Sequence, residues 1–156
     1  MPFPKQKAAL EAILSVRRAA RAIDDIVDSA CSSLGITGTQ YNILRILSRA
    51  SAEGLSRSQI VAQLIEQHVD VTRAIDGLVA AGYVEREHAT HDRRVVLHRI
   101  TPAGRAAIEQ LDPFLLRALE LMGRSFTVSE LETLATLCKR FLDAAAEADK
   151  LRATEQ

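Results

Sequence analysis

The sequence predicts a mainly helical fold carrying one small β-hairpin, and three observations predict it. Apolar residues recur at three- and four-residue steps over most of the 156 residues. Breaks fall at Gly35, around Ser51–Gly54 and at Gly82. On either side of the charged loop HATHDRR, which starts at His88, the pattern changes to alternation: Val84 and Arg86 precede it, and Val95, Leu97 and Arg99, alternating with Val96, His98 and Ile100, follow it.

Taken in order, Leu10, Ile13, Leu14, Ile23, Val27, Ala30, Cys31 and Leu34 place one apolar stripe on a helix from about Lys5 to Leu34, stopped by Gly35. Thr37 stands three residues before Gln40, the reciprocal capping pattern, and opens a second helix with Tyr41, Ile43, Leu44, Ile46 and Leu47. Ser56 and Gln59 repeat that pattern at the start of a third helix, with Ile60, Val61, Leu64 and Ile65 on one side. A fourth helix turns Val71, Ala74, Ile75, Leu78 and Val79 inward and ends at Gly82, directly before the hairpin. After Thr101 a fifth carries Ile108, Leu111, Leu115, Leu119 and Met122, and Pro113 within it predicts a bend, because proline removes one backbone hydrogen bond. Ser129 with Glu132 predicts the start of a last helix bearing Leu131, Leu134, Leu137, Cys138, Phe141, Leu142 and Ala145. Helix, turn, helix, then a basic hairpin is the order of a winged helix-turn-helix lobe. Long amphipathic helices flank it, and three segments follow: 1–34, 35–101 and 102–156. The flanking stripes need a cover, which a second copy of the chain supplies economically; a self-contained bundle is the competing reading.

Composition narrows the function. Hydrophobic residues make up 47% of the chain but aromatics only 4%, with no Trp, so the core is built from Leu, Ile, Val and Ala. No segment approaches the ~18 uninterrupted apolar residues of a membrane span, and MPFPKQK lacks the apolar block of a signal peptide, so a cytoplasmic location is expected. Cys31 and Cys138 have no paired-motif spacing and are expected to be free thiols buried as small hydrophobes. No glycine-rich phosphate loop, G-x-S-x-G or H-E-x-x-H occurs, so an enzyme is not expected. Formal charge sums to zero, yet Arg86–Arg105 holds five arginines against Glu87 and Asp92, a net of +3. Phosphate attraction depends on charge within a Debye length of roughly 8 to 10 Å, so a local excess on a hairpin is the footprint of a nucleic-acid-binding wing. A solvated surface hairpin is the alternative.

Three stretches together resemble the MarR family of bacterial winged-helix transcription regulators: LGITGTQYNILRIL (Leu34–Leu47), LSRSQIVAQL followed by VTRAIDGLVAAGYVER, and DRRVVLHRITPAG (Asp92–Gly104). The last fits the wing signature D-x-R-x5-[LI]-T-x-x-G without gaps. The long terminal helices agree with that family's dimer interface. The chain departs from the family where a turn such as G-V-S usually precedes the recognition helix: here Ile65, Glu66, Gln67, His68, Val69 and Asp70 stand instead, and the mapping rests on Val71, Thr72 and Arg73.

Major-groove reading needs donors, acceptors and methyl contacts from the N-terminal half of the recognition helix, where Gln67, His68, Asp70, Thr72 and Arg73 are polar. Arg73 suits guanine or phosphate, Thr72 a methyl or phosphate, and His68 either. Asp70 is unfavourable beside phosphate unless it pairs with Arg73 or accepts from a cytosine amine. In the wing, the resemblance gives Arg94 a minor-groove role, makes Asp92 the group that orients it and sets Arg93 on phosphate. A narrow minor groove concentrates negative potential, and a guanidinium held by a carboxylate has already lost part of its freedom. All four histidines, His68, His88, His91 and His98, fall in this lobe. His88 and His91 have a spacing that a metal uses, but no cysteine or carboxylate cluster completes a set, so no metal or other cofactor is expected. Protonation below about pH 6.5 would add wing charge.

The function expected is a homodimeric repressor of a near-palindromic operator, released by a small molecule. The resemblance puts that ligand between the dimerisation helices and the DNA-binding lobe, where Arg17, Arg21 and Tyr41 would suit an aromatic carboxylate. The alternatives are a cysteine-based redox regulator of the same fold and a winged-helix protein-interaction module without DNA binding.

Overall fold

The computed structural model describes residues 4–64, 70–89, 92 and 94–154. Its elements run α1 (Pro4–Ser32), α2 (Gly38–Ser48), β1 (Leu55–Ser56), α3 (Arg57–Val61), α4 (Val71–Ala80), β2 (Val84–His88), β3 (Val96–Ile100), α5 (Pro102–Gly123) and α6 (Val128–Thr154). Two compact units emerge, Arg21–Leu116 and Met1–Ala20 with Arg117–Gln156, so the division cuts through α1 and α5 rather than falling at their ends.

Capping fixes where the helices of the first unit begin. Thr37 accepts the backbone N–H of Gln40 at 3.2 Å while the Gln40 side chain accepts that of Thr37 at 3.0 Å. Ser56 and Gln59 form the same reciprocal pair. Each pair satisfies donors that a helix start leaves without partners. Asp70 caps α4 by accepting the Arg73 N–H at 3.1 Å. Two expectations change here. Helix α3 closes after Val61, which is 36% exposed rather than packed, while Ile60 and Leu64 are buried; the expected Ile65 lies outside the described residues. Helix α1 ends at Ser32, two residues early, as the chain turns through Leu34 toward Gly35 at φ +67°.

The core of this unit is aliphatic. Ile43 and Leu44 of α2, Ile60 of α3 and Leu78 of α4 are fully buried, joined by Val71, Ile75, Val84, Ile108 and Leu111. A three-stranded antiparallel sheet in the order β1-β3-β2 packs beside it, with Val84 opposite Ile100, Arg86 opposite His98 and Leu55 opposite His98 on the other side. Thr101 locks the hairpin to α5: its hydroxyl donates to the Gly82 carbonyl at 2.7 Å and accepts the Gly104 N–H at 3.1 Å. Gly104 is required because a Cβ there would lie 2.3 Å from the Tyr83 carbonyl oxygen. Helix α5 runs through Pro113 to Gly123.

The second unit has a different character. None of its described side chains is buried, and Leu10, Ile13, Leu119, Leu131, Leu134, Leu137 and Leu142 are all more than a third exposed. Thr127, not Ser129, begins α6: Glu130 accepts the Thr127 N–H at 2.7 Å and donates its own N–H to the Thr127 hydroxyl at 3.3 Å. The Thr127 N–H, with the Thr127 hydroxyl that also donates to the Glu130 carboxylate at 2.9 Å, holds that carboxyl below its ordinary pKa. The turn after α5 closes with Phe126 on the Gly123 carbonyl, so Thr127 is the first residue placed to cap and Ser129 falls inside the helix.

Candidate nucleic-acid interface

Helix α4 divides its residues cleanly. Val71, Ile75 and Leu78 enter the core, and Thr72 and Arg73 remain exposed on the other side. Asp70 is taken up as the N-cap, so its carboxylate serves a backbone N–H, and its position at the helix start is explained without a base contact.

Four arginines of the basic segment are described, and each has a partner. Arg86 pairs with Asp76, which ties β2 to α4. Arg99 pairs with Glu87 across the hairpin and donates from Nε to the Glu53 carbonyl at 3.2 Å. Arg105 donates to the Ser48 carbonyl at 3.4 Å. Arg94 is held by Asp92 but is 92% exposed. Because Glu87 and Asp92 are already subtracted in the net +3, of these pairs only Arg86–Asp76 offsets the excess, and Arg94 is the most exposed of the three ion-paired arginines.

Thr72 and Arg94 come together. They line one groove of about 470 Å³ between α4 and the sheet, with Ser56, Arg57, Ser58 and Arg86. The serines and Arg57 carried no sequence signal beyond the capping box, because their approach to the wing is tertiary. Asp70 and Arg73 line a separate groove of about 900 Å³ with Thr37, Thr39 and Gln40. Gln67, His68, His91 and Arg93 lie outside the described residues.

His98 overturns one expectation. It is 6% exposed, with Nδ1 3.3 Å from the Leu55 carbonyl, and burial lowers its pKa from the ordinary 6.5 despite that contact. Burial thus makes His98 resist protonation, so it is not a source of the wing charge expected on acidification below pH 6.5. Among the described residues no three His, Cys, Asp or Glu side chains group as metal ligands.

The expected ligand residues differ in their surroundings. Arg17 is exposed on α1, and Arg21 is exposed and paired with Asp25 at 3.1 Å. Tyr41 is buried, and its hydroxyl donates at 2.8 Å to Asp112, which also receives Arg45 at 2.8 and 2.9 Å. Cys31 is fully buried, and desolvation, aided by Asp28, pushes its thiol up to about 11. A thiolate is the reactive species, so this environment opposes redox sensing. Cys138 is only half-buried, against the expectation that both cysteines are core residues.

A helix pair whose second member shows an exposed polar face, followed by a paired-strand wing with a solvent-facing arginine at its tip, is a winged helix-turn-helix DNA-binding lobe. The family model described as MarR family matches residues 34–95. A solved structure of a MarR-family transcriptional regulator from Silicibacter pomeroyi is 30% identical, covering 85% of this chain and 88% of that one, with a TM-score of 0.66. The chain belongs to the MarR family of transcription regulators. The HTH-type transcriptional repressor YetL of Bacillus subtilis is 27% identical over 67% of this chain, and the match spans 63% of that protein's length. BpsR of Bordetella bronchiseptica, whose structure concerns regulation of its DNA binding by 6-hydroxynicotinic acid, is 25% identical, covering 84% of this chain and 98% of that one, with a TM-score of 0.70.

Proposed function

We propose that the chain is a homodimeric, sequence-specific repressor that grips its operator through α4 and the wing and lets go when a small aromatic acid binds. The observation that carries the DNA reading is the single groove shared by Thr72 and Arg94, because it aligns a major-groove helix and a wing cation on one face. Arg94, oriented by Asp92, enters a minor groove; Arg57 and Ser58, with Arg93, hold phosphate; Thr72 and Arg73, with Gln67 and His68, face base edges. YetL's designation as a repressor supports the direction of regulation.

The uncovered stripes of α1, α5 and α6 favour a second copy of the chain as their cover. The control of BpsR by an aromatic acid supports the effector class. A guanidinium at Arg17 or Arg21 would attract the carboxylate, while Tyr41, its hydroxyl occupied by Asp112, would offer only ring surface. No described helix is long and apolar enough to cross a membrane, which agrees with action on cytoplasmic DNA. Deleting residues 129–156 should abolish both the dimer in light scattering and the two-half-site footprint, whose centres should lie roughly 34 to 36 Å apart. A truncated chain that still footprints both half-sites as a dimer refutes the reading.

A further inference from the structure

The amide of Gln40 does two jobs at once. Its oxygen accepts the Thr37 N–H at 3.0 Å, completing the cap of α2, and its Nε2 donates to the Ala74 carbonyl of α4 at 3.2 Å, thirty-four residues away. The corner it stands on is itself anchored, since Asp28 of α1 accepts the Gly38 N–H at 2.8 Å. On the other side, a Cβ at Gly77 would lie 2.6 Å from Gln40 Nε2, so the missing side chain there leaves the space the amide occupies.

We propose that Gln40 is a positioning residue for DNA reading: its bond to the Ala74 carbonyl fixes the rotation of α4 about its own axis. The inference rests on the reading that α4 faces the operator. Ala74 belongs to the first turn of α4, and Thr72 lies about 200° around the helix from it at 3.6 residues per turn. Side-chain tips stand about 5 to 6 Å from the helix axis, so a rotation of only ~10° moves Thr72 by on the order of 1 Å. That is enough to misplace a hydrogen bond to a base edge. Core contacts of Val71 and Ile75, and the Arg86–Asp76 pair farther along the helix, also hold α4 against the lobe; the Gln40 bond adds a directional contact to the backbone of its first turn.

Two substitutions break this bond in different ways. Gln40→Glu keeps an oxygen for the Thr37 N–H and replaces the donor to Ala74 with an acceptor. Gly77→Ala leaves Gln40 intact and adds no charge; its methyl pushes the amide aside, and alanine favours the helix. The probe is a duplex selected by the wild-type chain from a random pool, compared with a scrambled duplex of equal composition. Each variant should bind the selected duplex about three- to tenfold more weakly, the equivalent of one hydrogen bond, with scrambled-duplex affinity changed less than twofold for Gly77→Ala. The double variant should lose no more than the worse single one, because both remove the same bond. Thermal midpoints should show both variants folded at the assay temperature. Unchanged discrimination in both folded variants, or fully additive losses, overturns the positioning role. If the wild-type chain enriches no sequence from the pool, the operator-reading function fails and the inference with it.

Discussion

Asp92 holds Arg94 by both ends: its Oδ1 accepts the Arg94 backbone N–H at 3.0 Å and the Nε–H at 3.2 Å, and its Oδ2 accepts from Nη2 at 3.4 Å. An exposed pair of this kind adds little to folding, because water screens it. Its value is in preorganisation, since a guanidinium already aimed loses less freedom when it enters a groove.

Asp92→Asn should therefore shift discrimination more than stability. Removing one negative charge near DNA raises affinity for random duplex, while releasing Arg94 weakens operator binding by about 0.5 to 1 kcal/mol. Fluorescence anisotropy on both duplexes measures the two effects, and the ratio of affinities should fall.

The Tyr41–Asp112–Arg45 cluster ties α2 to α5 and predicts an alkaline signature. Burial, then the hydrogen bond to Asp112, pushes the Tyr41 hydroxyl from 10.0 up to about 12. The folded chain thus keeps this proton where the unfolded chain releases it. Its stabilisation is complete below pH 10.0 and is lost as pH rises through about 12. Tyr41→Phe should flatten that loss in urea titrations at a cost of about 0.5 to 1.5 kcal/mol. Asp112→Asn should cost more, about 1 to 3 kcal/mol, because Arg45 keeps its charge without the carboxylate.

His98 predicts the acid limb. With its folded pKa below 6.5, the buried ring contributes stability that is full above pH 6.5 and is lost as pH falls through the folded value. Wild-type stability should drop as pH falls below 6.5, and His98→Gln should show a shallower slope there. Equal slopes in chemical denaturation would remove His98 as the cause.

Much of this was legible in the residue order, and the failures have physical causes. The starts of α2 and α3 could be read because Thr37/Gln40 and Ser56/Gln59 each sit beside a break with no rival cap nearby. At α6 two overlapping patterns preceded the same apolar stripe, and the turn at Phe126 decided between them. Strand β1 spans two residues, too few for any alternation, and exists only through its pairing with β3. His98 stands opposite Leu55 in that pairing, and its burial is a tertiary property that alternation along the hairpin does not record. In the interface, Arg94 and Asp92 are pointed to by the resemblance to the MarR wing signature, and two residues of sequence separation put them within reach of each other. The partners of Arg86 and Arg99, the approach of Arg57 and Ser58, and the reach of Gln40 to Ala74 depend on tertiary packing that no local pattern records.

The central claim is that the wing and α4 grip DNA together, and Arg94→Ala tests it most directly. On the selected duplex at two salt concentrations, with circular dichroism confirming the fold, the variant should bind about 1 to 3 kcal/mol more weakly and show a shallower dependence on salt, because fewer counterions are released. A folded Arg94→Ala protein with wild-type affinity and salt slope would contradict the account.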